Sequence, residues 1–341
     1  MLGDCAINTR LRVALVFAAA LLALLLPACR REAQVTAPVV RATPLPTPRS
    51  TPLPPVATVA APGSAESPLR MALVAADTAR LSETDTDGLD AAARFERAIF
   101  DESGLVIELV PVDTPAGALS ALCESAPGRA AVAWLDSVAY WAALARRCGV
   151  PALQVERGEP NPQTGAPVVI VADRNLGLAG VGPLAGRTFC RLGLDDVESW
   201  LAPALALRAA GVDPVEELGA VRDYADYDSL LSAVADGECA AAGLTEARFD
   251  QLPDEVRDEL RVVGRTPPLP FALLLYPASL PLGERLRLTD ALLALASDAE
   301  RSAVLSPLLG QAGLARVEPD DLSAVDAFFD STGLDFAQLG D

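Results

Sequence analysis

Residues 167–214, PVVIVADRNLGLAGVGPLAGRTFCRLGLDDVESWLAPALALRAAGVDP, decide the fold. The apolar run Val168–Ala172 is too short for a helix and reads as a buried strand, and Thr188–Arg191 reads as a second. From about Ser199 to Ala210 apolar residues recur at helical spacing, and Gly211 closes that helix. A further helix at Tyr227–Asp236 and a strand at Ala240–Leu244 continue the alternation downstream. Upstream the same grammar appears once already, with strands at Arg70–Ala75, Leu105–Val110 and Ala130–Leu135. They alternate with helices at Ala91–Phe100, Ala116–Glu124 and Ser137–Arg147. Such alternation implies parallel strands joined by helical crossovers. A Pro- and Gly-containing loop at Arg157–Pro167 separates the two α/β units, and a Pro cluster at Thr266–Pro270 closes the second. One more apolar strand, Phe271–Tyr276, precedes two C-terminal helices, Gly283–Leu309 with a break at Pro307 and Asp320–Phe329.

Composition narrows the chemistry. The 341 residues are hard to fit around one core, so two cored units are expected. The chain has no His, and all 27 basic residues are Arg. That removes Ser-His-Asp and Cys-His nucleophiles, imidazole metal sites, Lys Schiff bases and the Lys of a phosphate-binding loop. The net charge of −19 repels a phosphate backbone and argues against nucleic-acid binding.

The N-terminus reads as a targeting segment, residues 1–28. Arg10 and Arg12 precede an uncharged apolar run, Val13–Ala28, short of the roughly 20 residues a permanent span needs. It ends Leu26-Pro27-Ala28-Cys29, similar to a bacterial lipobox with Cys29 as lipid acceptor, although Pro27 departs from the usual pattern. Residues 29–68 then read as a tether, with nine Pro between Arg30 and Pro68 and no helical or strand period. Pro-rich chain extends at about 3.1 Å per residue, so this tether reaches up to roughly 120 Å from the membrane surface. Removing the net positive charge of signal and tether leaves −22 on the remainder.

Taken in order, "PLRMALV", "AVAWLDSVAYWAAL", the 167–214 stretch, "YDSLLSAVADGECAAAG" and "LRVVGRTPPLP" resemble the phosphate/phosphonate (PhnD-type) solute-binding lipoproteins of ABC importers. The resemblance runs from about Pro68 to Phe336 and rests on order and spacing together. It implies an α/β type 2 periplasmic-binding-protein fold of two lobes joined by a two-strand hinge, with solute held between them. Lobe 1 is then residues 69–163 plus 271–341 and lobe 2 residues 164–270. The resemblance also implies a small-molecule ligand, an ABC permease as partner, a monomer anchored through lipid on the extracytoplasmic face, and no cofactor.

In that frame, ligand residues are expected at the carboxyl ends of parallel strands, where helix N-termini converge. Relatives hold a phosphonate with a hydroxyl-rich loop; here the loop after Arg191 contains Asp195, Asp196, Val197, Glu198 and Ser199. Carboxylates there also suit plain helix capping. They coexist poorly with a dianion, since like charges in contact repel by several kcal/mol at an effective dielectric near 20. The position where the family tends to carry His aligns with Tyr227. A neutral or cationic ligand is therefore expected, with Asp77, Thr78 and Arg80 after the first strand and Asp136, Ser137 and Tyr140 after the third. Tyr140 is expected on the first helical turn, facing the cleft mouth, where aromatics and carboxylates together suit an ammonium. Trp134 and Trp141 read as core packing. Tyr224, Asp226, Tyr227, Thr245 and Glu246 are the second lobe's contributions. Arg191, Arg174 and Arg248 are the cations open to an anion, with surface pairing the plainer role for the last two.

Apart from Cys5 and Cys29, four cysteines remain, and an even number outside the cytoplasm favours disulfides. Of three connectivities, Cys123–Cys148 with Cys190–Cys239 keeps each bond within one lobe. A metal site is disfavoured by the absence of His and of any CxxC pair. Three functions follow: a solute-binding subunit of an importer, a sensor or interaction lipoprotein with a degenerate cleft, and an enzyme using paired carboxylates such as Asp195 and Glu198. The enzyme is the weakest, because 43 acidic residues outside signal and tether make neighbouring pairs commonplace.

Overall fold

Strands β1 (Leu69–Val74), β2 (Ile107–Val112), β3 (Ala131–Leu135) and β4 (Val150–Glu156) precede a short β5 (Gly165–Ala166). They are followed by β6 (Val168–Asp173), β7 (Thr188–Arg191), β8 (Ala220–Asp223), β9 (Ala241–Thr245) and β10 (Leu260–Arg265), then β11 (Leu269–Pro270), β12 (Leu273–Tyr276) and β13 (Gly313–Arg316). This computed structural model describes residues 59–74, 90–158, 160–310 and 313–338. The signal, Cys29 and most of the tether lie outside the described residues, as do Asp77, Thr78 and Arg80.

The strands form two sheets, one of order β13-β4-β12-β3-β1-β2 and one of order β10-β6-β9-β7-β8. In the first, β1 runs parallel to β2 and β3, while β12 enters antiparallel between β3 and β4. In the second, β7 runs parallel to β8 and β9, with β6 antiparallel to β9. Burial explains these positions. β3 (AVAWL) and β12 (LLLY) are apolar and buried at every residue, as strands covered on both faces must be. Edge strand β2 instead alternates at its start, with Ile107 and Leu109 buried around exposed Glu108. Edge strand β8 is mostly exposed.

Two crossings link the sheets, and there β5 pairs antiparallel with β11. A Cβ at Gly165 would strike the Leu269 carbonyl, so only glycine allows the two crossings to lie this close. The C-terminal helix Ser323–Ser331 connects the halves a second time. Its Val325 and Phe329 are buried with Val168, Ala202 and Leu205 from the second half, while Val138 and Trp141 from the first pack on the same cluster. Trp141 stacks on Phe329 with centroids 5.2 Å apart.

Several elements differ from expectation. β4 and β13 escape a reading by apolar runs, since Pro151 and Gln154 interrupt the one and the other is four residues of mixed type. The long C-terminal helix ends at Ser297 rather than breaking at Pro307; a short 3-10 turn, Arg301–Val304, and a turn of helix at Ser306–Leu309 follow. Asp298 there accepts from the N–H groups of Glu300 and Arg301. That local turn competes with helix continuation. The helix read from Ser199 begins at Val197 as a wide π-type turn and becomes regular at Ala202–Ala209.

Disulfides join Cys123 to Cys148 and Cys190 to Cys239, with Cα atoms 4.8 and 5.9 Å apart. Each lies within the elements around one sheet. Among the described residues no helix is long and apolar enough to cross a membrane, and no cluster of His, Cys, Asp and Glu suits a metal ion.

Candidate functional site

Both sheets end their parallel strands at edges where new helices begin, and the expected ligand residues gather at those ends. After β3, Asp136 caps the helix Ser137–Ala145 by accepting from the N–H of Ala139 at 2.8 Å. Burial of that carboxyl group pushes its pKa up, outweighing the N–H donors of Ala139 and Val138. Ser137 is 1% exposed, and its hydroxyl has no hydrogen-bond partner.

Tyr140 departs from its expected place. It is 2% exposed, packed in the core rather than facing a cleft mouth, and its hydroxyl donates to Asp326 Oδ1 of the C-terminal helix at 3.4 Å. Tyr140 faces the sheet because its ring joins the apolar cluster of Leu119, Leu135, Ala143 and Leu275. Burial raises the pKa of Tyr140, with the charge of Asp326 adding to it. Asp326 is itself raised by burial, against the lowering effect of the Tyr140 hydroxyl.

In the second half Asp196 caps the turn that starts at Val197, accepting from the N–H of Ser199 at 2.6 Å. Ser199 is buried, and its hydroxyl accepts from the N–H of Leu192, folding the 192–199 loop back on itself. A Cβ at Gly243 would collide with the Pro203 ring and lie 2.7 Å from the Glu198 carbonyl oxygen. Glycine in β9 thus lets this segment rest directly on the sheet. Asp195 is exposed. Glu198 is half-buried and accepts from the Tyr227 hydroxyl at 3.1 Å. Burial, with the charges of Glu198 and Asp196, raises the Tyr227 pKa, and the guanidinium of Arg248 covers its ring at 4.1 Å. Thr245 caps the helix Glu246–Asp250, and Asp226 caps Tyr227–Ala235.

Asp136, Asp196 and Thr245 thus share one occupation, satisfying helix N–H groups, worth about 0.5 to 2 kcal/mol each. Glu198 and Glu246 at these helix starts are instead bonded to side chains, of Tyr227 and Arg265 respectively. The Args are also engaged: Arg191 pairs with Asp223 at 2.6 Å and lies over Trp200, and Arg174 donates to the Leu260 carbonyl.

A cavity of about 330 Å³ opens at the carboxyl ends of β1 and β3. Leu73, Trp134, Val155 and Leu308 form its walls, and Asp136, Arg157 and Phe271 bring polar and aromatic groups to it. Trp134 therefore both packs in the core and lines this space. Neither Arg157 nor Phe271 was legible as a site residue. Both lie in Pro-containing connections that carry no periodic signal, and Glu156 and Glu159 beside Arg157 make it read as an ordinary surface charge.

The comparisons with known proteins agree with this geometry. A family model described as "ABC transporter, phosphonate, periplasmic substrate-binding protein" matches residues 80–322. XAC2383 from Xanthomonas citri, solved bound to ATP, is similar at a TM-score of 0.60 and 17% identity, over 78% of this chain and 97% of that one. The same protein bound to chloride gives a TM-score of 0.59 at 18% identity, over 78% and 98%. A binding-protein component of an ABC phosphonate transporter, PA3383 from Pseudomonas aeruginosa, gives 0.50 at 15% identity, over 78% and 87%. These likenesses are of fold. A comparison with curated protein sequences gives no match.

Proposed function

Because this chain belongs to the phosphonate-type periplasmic substrate-binding protein family of ABC transporters, we propose that it is a lipid-anchored solute-binding subunit whose solute is not a phosphonate. The observation that carries the second part is the loop after β7. Where an oxyanion needs hydroxyls and free N–H groups, Asp196 already holds the N–H of Ser199, Ser199 already holds that of Leu192, and Glu198 adds a second carboxylate. A dianion brought there meets like charge at a cost of several kcal/mol. In thermal-shift measurements phosphate, phosphite and methylphosphonate are expected to leave the melting temperature unchanged; stabilisation at micromolar concentration overturns this reading.

The lobes are proposed as residues 69–163 with 271–341 and residues 164–270, supported by sheet membership and by the paired crossings β5 and β11. Solute binds between them and closure about those crossings presents it to a permease. Lipid attachment at Cys29 is the proposed anchor, checked by loss of membrane retention in Cys29→Ala. The family supplies binding rather than turnover, so no catalytic residue is assigned. A second reading, a sensor or interaction lipoprotein, draws on the C-terminal helix: its apolar cluster bridges both halves and resists wide opening.

A further inference from the structure

Arg157 stands where β4 leaves the first sheet for the hinge. Its N–H donates to the Gln163 carbonyl at 2.9 Å, and its own carbonyl accepts from the Gln163 N–H at 2.8 Å, so the backbone is pinned. Its guanidinium carbon lies 4.8 Å from the centre of the Phe271 ring. Phe271 follows β11 on the returning crossing, and its N–H donates to the Thr164 carbonyl at 3.1 Å. The guanidinium is thus positioned from both crossings of the hinge at once.

Arg191, Arg208 and Arg316 each have a carboxylate partner at 2.8 Å or less. Among the described residues, none stands within ion-pair distance of Arg157. An aromatic face orients a guanidinium without using its N–H donors, leaving the fork open for a planar anion. The cavity it borders is walled mainly by apolar side chains, with Asp136 and Ser306 as its other polar ones, and its volume falls at the lower end of small-ligand pockets, roughly 300 to 1,000 Å³.

We propose that this cavity holds a small monocarboxylate with an apolar body, its carboxylate on the fork of Arg157 and its body against Trp134, Val155 and Leu308. This rests on the solute-binding reading and names the class of solute, held by the first lobe beside the hinge before the second lobe closes over it. An Arg–carboxylate pair is bidentate and charge-assisted, and the apolar body replaces water along the walls. Asp136 borders the same space, where burial raises its pKa. A dianion gains less, because one guanidinium balances only one of its charges. The ammonium once expected finds less support, since Arg248 already covers the Tyr227 ring and Tyr140 is sealed in the core.

Four probes with one benzyl body separate the cases: phenylacetate, phenylacetamide, phenethylamine and benzylphosphonate, each titrated calorimetrically into the purified full chain. Phenylacetate is expected to bind at least ten-fold more tightly than the other three. Arg157→Gln, an exposed change with little effect on melting, is expected to erase the preference for acid over amide. Equal binding of acid and amide by the wild type, preference for the amine, or an unchanged preference in Arg157→Gln overturns the proposal. If other solutes bind while phenylacetate does not, only this inference falls. If no member of a broad solute library binds, the solute-binding reading falls with it.

Discussion

Each half of the molecule contains a tyrosine whose hydroxyl donates to a carboxylate, and the two pairs have opposite settings. Tyr140, buried in the first half, reaches the half-buried Asp326 of the C-terminal helix. Tyr227 and Glu198 meet at the half-buried edge of the second sheet, under the guanidinium of Arg248. The first pair joins elements far apart in the chain and serves assembly. The second joins the 192–199 loop to the start of the helix Tyr227–Ala235 and keeps a carboxylate at that edge. The same two side-chain types therefore do structural work in one place and electrostatic work in the other, and depth of burial makes the difference.

The comparison predicts an order of effects. Phe329→Ala removes the ring on which Trp141 stacks and is expected to cost about 3 to 5 kcal/mol, by far more than any edge change. Chemical denaturation measures it, and a cost below about 1 kcal/mol would deny the C-terminal helix its bridging role. The disulfides come next. The chain-entropy model assigns each about 3 to 4 kcal/mol, with Cys190–Cys239 ahead by about 0.6 kcal/mol because it closes 49 residues against 25. Paired Cys→Ala variants in the calorimeter test both the size and the order. Tyr140→Phe is expected to cost about 0.5 to 1.5 kcal/mol, since it removes a hydrogen bond anchored in the core by Tyr140, whereas Tyr227→Phe, at the half-buried edge, should cost less than about 0.5 kcal/mol. Equal costs would mean that the two pairs play the same part.

The smallest effect is a pH slope. The folded-state pKa of Asp136 is raised, so the native protein binds more protons than the unfolded chain at pH values just above the ordinary carboxylate range. This group's contribution to stability therefore falls as pH rises through that window. Asp136→Asn keeps a capping side chain and removes the proton. Its stability relative to wild type should rise from pH 4 to pH 7, and a flat difference across that range would contradict the burial of Asp136.

Much of the architecture is legible because it depends on short-range pattern. Continuous apolar runs such as VVIVA and AVAWL are what a buried parallel strand requires, and alternation with helical spacing leaves few topologies. The capping residues Asp136, Asp196, Asp226 and Thr245 are visible for the same reason, since each sits just before a helical period. Four of the expected ligand groups, Asp136, Asp196, Asp226 and Thr245, turn out to cap helices. The cavity residues Arg157 and Phe271 were not found. They are 114 residues apart, and nothing local distinguishes either from loop.

From the sequence alone follow the two α/β units, the two Pro-containing segments that bound the second, the absence of imidazole and amine chemistry, and the carboxylates of the loop after Arg191. Each is a property of composition or of neighbours in the chain. Only the tertiary structure decided that Tyr140 is sealed by Asp326, that Arg248 covers Tyr227, and that Arg157 stands over Phe271 beside an apolar cavity. Each is a contact across the fold, where long-range packing sets which polar groups are satisfied and which remain open to a solute.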